Sequence, residues 1–101
     1  MDIRYEPGKR AIVVKLMGEL DHHAAAELRT AIDREFARVK ALNIVFDFSA
    51  LKFMDSSGIG VIIGRYKTVK SRNGNVYVTN VNETVSKLLD LAGLYKIIKR
   101  K

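Results

Sequence analysis

The first twenty residues contain two apolar patterns that are typical of β-strands. Residues 3–5 alternate one by one and residues 11–17 are almost all apolar, so the pattern predicts two strands. Pro7 and Gly8 lie between them and predict a tight turn, which would pair the two strands as a hairpin. Gly18 is expected to end the second strand.

The middle of the chain changes from a helical pattern to a continuous apolar one. Residues 22–40 repeat apolar side chains every three or four positions, which predicts an amphipathic helix, and Asp21 is suited to cap it. Residues 43–48 are apolar almost without interruption, which is typical of a strand covered on both faces.

Residues 56–72 return to the helical spacing and predict a second helix. Arg65 belongs to a group of cations in its second half, where positive charge favours the helix dipole. Gly60 and Gly64 are one turn apart and are expected to let the helix pack close to the sheet. Gly74 is interpreted as the residue that stops the helix.

The last third predicts a strand over residues 75–79, a short helix from the cap Asn82 to Gly93, and a final short strand at residues 97–98. The order β-β-α-β-α-β-α(-β) is typical of an α/β fold. Strands joined through helices are expected to lie parallel, whereas the opening hairpin is antiparallel. We therefore predict a mixed four- to five-stranded sheet covered by helices, with residues 1–101 forming a single domain.

The composition excludes several classes of protein. The chain has no cysteine, which excludes disulfide scaffolds, thiolate metal sites and cysteine nucleophiles. Its first residues show no apolar run behind a basic head, and no stretch approaches the roughly 20 apolar residues that cross a bilayer. We expect a cytoplasmic domain with no membrane association.

The net charge of +7 is distributed unevenly along the chain. Residues 1–55 contain nine basic and nine acidic residues, whereas residues 56–101 contain nine basic residues and two acidic ones. A basic domain raises nucleic acid as a partner. The bases are spread out and no aromatic residues lie between them as a stacking surface, so a solvated basic face is favoured and no direct nucleic-acid binding is expected.

The junction between the apolar strand and the second helix, residues 53–60, is the most informative segment. Ligands bind at such junctions in open α/β sheets. In one interpretation Ser56 only caps the helix, with its oxygen accepting the N–H of a residue two or three positions later. In the other, the Ser56 hydroxyl accepts a phosphate beside Asp55, and Gly58 and Gly60 leave the backbone open to a partner protein.

Other chemistries fit the sequence less well. The glycine spacing that begins at Gly58 is one residue too long for a dinucleotide site, and no acidic residue ends the next strand. His22 and His23 are adjacent and point to different sides of a helix, so no metal is expected and both are interpreted as exposed polar residues. Neither a hydrolase triad at Ser56 nor a phosphoaspartate at Asp55 has the partner residues it needs.

Two segments resemble the signatures of the anti-sigma factor antagonists, which are small STAS domains. The first is Gly-Glu-Leu-Asp-His-His at residues 18–23, and the second is Phe-Met-Asp-Ser-Ser-Gly-Ile-Gly with its continuation at residues 53–67. Residues 88–98 are similar to the C-terminal helix and strand of the same family. The resemblance covers essentially the whole chain, and the pair His22 and His23 favours the sporulation branch over the general-stress branch.

The resemblance implies a regulatory binding protein, and not an enzyme, that switches between partners. In this family the unphosphorylated antagonist binds an anti-sigma factor that is also a serine kinase of the GHKL ATPase type, which frees the sigma factor. The kinase then phosphorylates the antagonist, which dissociates, and a PP2C-type phosphatase removes the phosphate. The phosphorylated serine of the family corresponds to Ser56. The resemblance to the sporulation branch implies control of sporulation transcription, and no cofactor is expected.

The resemblance also implies which residues meet the partner. Glu19 and Asp21 occupy the loop that faces the kinase in the family, and Ser57 fills the position beside the phosphorylated serine. The implied partner-binding set is Glu19, Asp21, Asp55, Ser56, Ser57, Gly58 and Ile59. The alternatives are a general-stress antagonist and a basic nucleic-acid-binding domain, with weak nucleotide binding near Gly60 as a secondary activity at best.

Overall fold

The computed structural model describes residues 2–101, which form five strands and three helices in the predicted order. Short 3-10 turns at Pro7–Lys9 and Leu94–Lys96 join some of them. The elements are β1 (Asp2–Glu6), β2 (Ala11–Leu20), α1 (His22–Arg38), β3 (Asn43–Met54), α2 (Ser56–Lys70), β4 (Val76–Thr79), α3 (Glu83–Leu91) and β5 (Lys99–Arg100).

The five strands form one mixed sheet in which neighbours in space are neighbours in sequence, in the order β1-β2-β3-β4-β5. The first pair is antiparallel and the other three pairs are parallel. The predicted α/β class and mixed sheet are therefore confirmed. The last strand lies two residues later than predicted: β5 is Lys99–Arg100, and Ile98, which was predicted to belong to it, packs into the core.

Both central strands are longer than predicted. Gly18 does not end β2: it pairs with Leu51 of β3, and its left-handed backbone, with φ of 67°, lies at a register shift after which Glu19 pairs with Phe53. β3 likewise continues past residue 48 to Met54, which pairs with Leu20. The extra length carries the ends of both strands to the edge of the sheet from which α1 and α2 start.

The main core lies between one face of the sheet and all three helices. The buried apolar side chains of α1, α2 and α3 join those of β2, β3 and β4 in one cluster. The opposite face has only a small cluster of Ala11, Val13 and Val45, with Tyr77 packed against it. The segment 43–48 is therefore covered by the helices on one face, and on the other face the small cluster buries Val45.

The glycines of the α2 region have other roles than predicted. A Cβ at Gly60 or Gly64 would meet no atom within 4 Å, so neither glycine serves close packing on the sheet. α2 ends at Lys70, and Asn73 takes the left-handed turn with φ of 63°. Gly74 donates its N–H to the carbonyl of Val69 at 3.0 Å, and a Cβ there would collide with the carbonyl of Leu42.

Arg65 is buried, although the sequence pattern placed it among solvated cations. Its side chain is 9% exposed and lies between α1 and α2, where its Nε is 3.0 Å from Oδ1 of Asp33. Burial lowers the pKa of the Arg65 guanidinium. Nε and Nη1 have no hydrogen-bond partner of good geometry among the described residues, so the charge is only partly compensated.

Gly74→Ala is expected to lower the free energy of unfolding by about 1–3 kcal/mol, because the new methyl group overlaps the Leu42 carbonyl. The matched control is Gly64→Ala, whose Cβ enters open space and which should raise stability by up to about 1 kcal/mol through helix propensity. Urea unfolding followed by circular dichroism measures both. Equal effects of the two variants would contradict the close contact.

Arg65→Met is expected to change the free energy of unfolding by less than about 1 kcal/mol, or to raise it. The reason is that an apolar side chain of similar length replaces a buried charge. Asp33→Ala should instead lower stability, since it leaves the buried guanidinium without its counter-ion. Thermal unfolding of both variants tests this. A larger loss for Arg65→Met than for Asp33→Ala would contradict the interpretation.

Candidate functional site

The carboxyl ends of β2 and β3 lie side by side and bring the two conspicuous sequence segments together. Glu19 pairs with Phe53 and Leu20 with Met54, and the N–H of Asp55 points to the carbonyl of Leu20 at 3.4 Å. We call this region, residues 19–21 and 53–60, the carboxyl edge. Parallel pairing thus joins segments more than thirty positions apart in the sequence into one surface.

Asp21 caps α1, as predicted. Its Oδ1 accepts the N–H of Ala24 at 2.9 Å, and this hydrogen bond holds the pKa of the Asp21 carboxyl below its ordinary value. His22 and His23 follow on the surface with their rings edge to face, 6.1 Å between centroids. Glu19 is exposed on the strand side of the same turn. The β2–α1 junction therefore presents carboxylates to solvent.

Asp55 caps α2, and the expectation that Ser56 does so was wrong. Oδ1 of Asp55 accepts the N–H of Ser57 at 2.8 Å, and its carbonyl accepts the N–H of Gly58 at 3.0 Å. Because β3 extends to Met54, the last residue with extended backbone is Asp55, which is the geometry of a cap. Ser56 becomes the first residue of the helix, and it is exposed.

The residues after the two serines do not all face outward. Gly58 is buried, and a Cβ there would collide with the side chain of Met54 and press on Leu20. Ile59 is 9% exposed and belongs to the core cluster. The expectation that Gly58 leaves its backbone open was therefore wrong, whereas Gly60 is exposed and open. Gly58 lets the start of α2 lie directly on the ends of β2 and β3.

Five of the seven sequence-derived site residues reach the surface together. Glu19 and Ser56 are exposed, and Asp21, Asp55 and Ser57 are half-buried. Ser56 is thus a hydroxyl at a helix start beside carboxylates, accessible to a group donor on another molecule. Gly58 and Ile59 lie beneath this surface and set its shape.

The sequence pattern did not predict a groove of about 630 Å³ beside the serines. It lies between the end of β3 and α3, and its lining residues are Lys52, Phe53, Met54, Asn82, Thr84, Val85, Lys87, Leu88 and Leu91. The available signal was in α3, where Val85 and Leu89 account for the buried face and Leu91 falls outside it. The sequence pattern ended β3 at residue 48, so it could not predict that Phe53 lies opposite α3.

Residues 2–101 contain neither a metal-binding cluster nor a membrane-spanning helix. No group of three or more His, Cys, Asp or Glu side chains in that range is arranged to hold a metal ion. No helix of the same range is long and apolar enough to span a bilayer.

Comparison with known proteins agrees with the geometry. The STAS domain family model matches residues 3–101. An anti-sigma F factor antagonist from Paenibacillus polymyxa is 42% identical over 98 residues, which is 97% of this chain and 84% of that protein. The solved structure of the anti-sigma factor antagonist SpoIIAA in its unphosphorylated form superimposes with a TM-score of 0.80 at 27% identity, covering 99% of this chain and 86% of that one.

A second solved structure, of the Bacillus cell fate determinant SpoIIAA in the phosphorylated form, gives a TM-score of 0.75 at 30% identity. It covers 99% of this chain and 91% of the other. The fold, the family model and the sequence identity agree over almost the whole chain. The chain belongs to the STAS domain family and, within it, to the anti-sigma factor antagonists.

Proposed function

We propose that the unphosphorylated protein binds an anti-sigma factor that is also a serine kinase, and thereby releases a sigma factor for transcription. Phosphorylation of Ser56 ends this binding, and a PP2C-type phosphatase restores it. The observation that carries the proposal is the position of Ser56, which is exposed at the first residue of α2 and is not used to hold the helix. The names of the anti-sigma F relative and of phosphorylated SpoIIAA support the sporulation role and the modification.

The phosphate transfer needs no catalytic group from this chain. The Ser56 oxygen attacks the γ-phosphorus of ATP held by the kinase, an oxygen–phosphorus bond forms, and the bond to ADP breaks. The hydroxyl proton leaves to a base of the kinase or to solvent. In the dephosphorylation step, water attacks the phosphorus on the phosphatase, the bond to the serine oxygen breaks, that oxygen takes up a proton to become the hydroxyl, and inorganic phosphate is released. This chain supplies the accessible nucleophile and the docking surface.

The carboxyl edge explains why a phosphate would weaken binding. A serine phosphate adds about −1.5 to −2 charge at pH 7, beside carboxylates of Asp55, Asp21 and Glu19. The N–H of Ser57, which a phosphate at a helix start could use, is already taken by Asp55. A partner that fits closely against this edge must then desolvate a further, doubly charged group, and a charge that is buried at an interface without a matched partner costs several kcal/mol.

The Ser56 variants should separate binding from switching. Ser56→Ala is expected to bind the kinase as the unmodified protein does and to accept no phosphate, because only the hydroxyl is lost. Ser56→Asp should bind about tenfold or more weakly, since it places one extra charge at the interface. Calorimetry with the purified kinase gives the affinities, and mass spectrometry after incubation with Mg-ATP gives the modified residue.

Ser57→Ala is the matched control for the Ser56 variants and should still be phosphorylated. Ser57 is half-buried, whereas Ser56 is exposed, so only the Ser56 hydroxyl is expected to reach the kinase. Phosphate on Ser57 in the unmodified protein, or equal affinity of the unmodified protein and Ser56→Asp, would contradict the proposal.

Gly60→Leu tests whether the partner covers the start of α2. Gly60 is exposed one turn after Ser56, and a side chain there meets no atom of this chain, so the variant should fold normally. A bulky side chain is nevertheless expected to lower kinase affinity at least tenfold by holding the partner away. Lys67→Leu, an exposed position two turns further along the helix, is the control. Undiminished affinity of Gly60→Leu, measured by calorimetry, would place the interface elsewhere.

A further inference from the structure

Exposed large apolar side chains concentrate around the carboxyl edge. Within residues 2–101 they are Tyr5, Met17, Phe53 and Leu91, with exposed fractions of 38%, 51%, 53% and 87%. Met17 precedes the edge on β2, and Phe53 and Leu91 line the groove beside it. Only Tyr5, at the other end of the sheet opposite Ile12, lies away from this region. Such clustering beside a functional residue indicates a protein-binding surface.

The serines themselves offer little apolar area to a partner. The exposed side of the first turns of α2 consists of Ser56 and Gly60, with Ser57 half-buried. A stable protein complex buries roughly 800 Å² on each partner, and much of its affinity comes from a few apolar or aromatic anchors. The proposed complex has to persist long enough to keep the sigma factor free. It therefore needs an anchor outside the serines.

The groove between the end of β3 and α3 has the composition of such an anchor site. Phe53, Leu88 and Leu91 supply its apolar wall, and Lys52 and Lys87 supply two cations at its rim. Lys87 has only a weak, exposed ion pair with Glu83 at 3.6 Å, so its ammonium group is available to a partner. Phe53 lines the groove and also pairs with Glu19 on the carboxyl edge, so the groove and the edge meet at this residue.

We infer that the kinase anchors itself by placing an apolar side chain, with a carboxylate beside it, in the groove between Phe53 and Leu91. This inference rests on the proposed function and names the chemistry by which the partner recognises the protein. The apolar group contacts Phe53, Leu88 and Leu91, and the carboxylate pairs with Lys52 or Lys87. The phosphatase needs only brief contact with the phosphorylated serine, so the long-lived complex is the one that uses the anchor.

The two flanks of Ser56 then differ in character and fix the orientation of the partner. On the β2 side the surface carries the carboxylates of Glu19 and Asp21, and on the β4 side it carries the groove with Lys52 and Lys87. A partner with basic residues opposite the first flank and an acidic, apolar segment opposite the second fits in one direction only. Complementary charge on both sides steers the encounter and excludes the reversed arrangement.

The test compares Leu91→Ser and Phe53→Ser with Tyr5→Ser as a matched control, since Tyr5 is also large, apolar and exposed but lies far from the groove. Kinase affinity is measured by calorimetry, and thermal unfolding of each variant checks the fold. We expect Leu91→Ser and Phe53→Ser each to weaken binding by about tenfold or more, as loss of an interface anchor does, while both variants remain folded at the temperature of the binding measurement. Tyr5→Ser should bind like the unmodified protein.

Ser56→Asp in the same experiment separates this inference from the proposed function. Affinities of Leu91→Ser and Phe53→Ser within twofold of the unmodified protein, with a large loss for Ser56→Asp, would overturn the groove as the anchor and leave the proposed function standing. No kinase binding by the unmodified protein would overturn both. Loss of dephosphorylation alone, or of self-association alone, would assign the groove to the phosphatase or to a second copy of this chain and overturn the inference.

Discussion

The parallel pairing of β2 with β3 determines the position of the residues of the carboxyl edge. It ends with Leu20 opposite Met54, so the two strands deliver Asp21 and Asp55 to the same edge, where each starts a helix. A shift of one residue in this pairing would turn the apolar side chains of β3 away from the helices. The core and the functional surface thus depend on the same register.

Much of this arrangement could be predicted from the sequence because it follows from local patterns. The helical spacing of residues 22–40 and the cap at Asp21 require only neighbouring residues, and the structure has both. The order of strands and helices, and with it the mixed sheet, follows from the same patterns. The segment around Ser56 stood out because its residue types suit a helix start and its sequence resembles a known family.

The predictions were wrong where contacts between residues distant in sequence determine the role of a residue. Ser56 and Asp55 are both good caps, and only the length to which β3 pairs with β2 assigns the role to Asp55. Arg65 looks like a solvated cation until α1 covers it. Gly58 and Gly60 are alike in sequence, yet a Cβ at Gly58 would collide with Met54 and a Cβ at Gly60 would meet no atom within 4 Å, a difference that depends on how α2 lies on the strand ends.

Asp55, and not Ser56, holds the start of α2. The atom proposed to be modified and the atom that maintains the helix therefore belong to different side chains. A phosphate at this position adds negative charge at a helix N-terminus, where the dipole tolerates it. Under the proposed switch, adding or removing the phosphate therefore leaves the hydrogen bond that caps α2 in place, and the two forms share one fold and differ in surface charge.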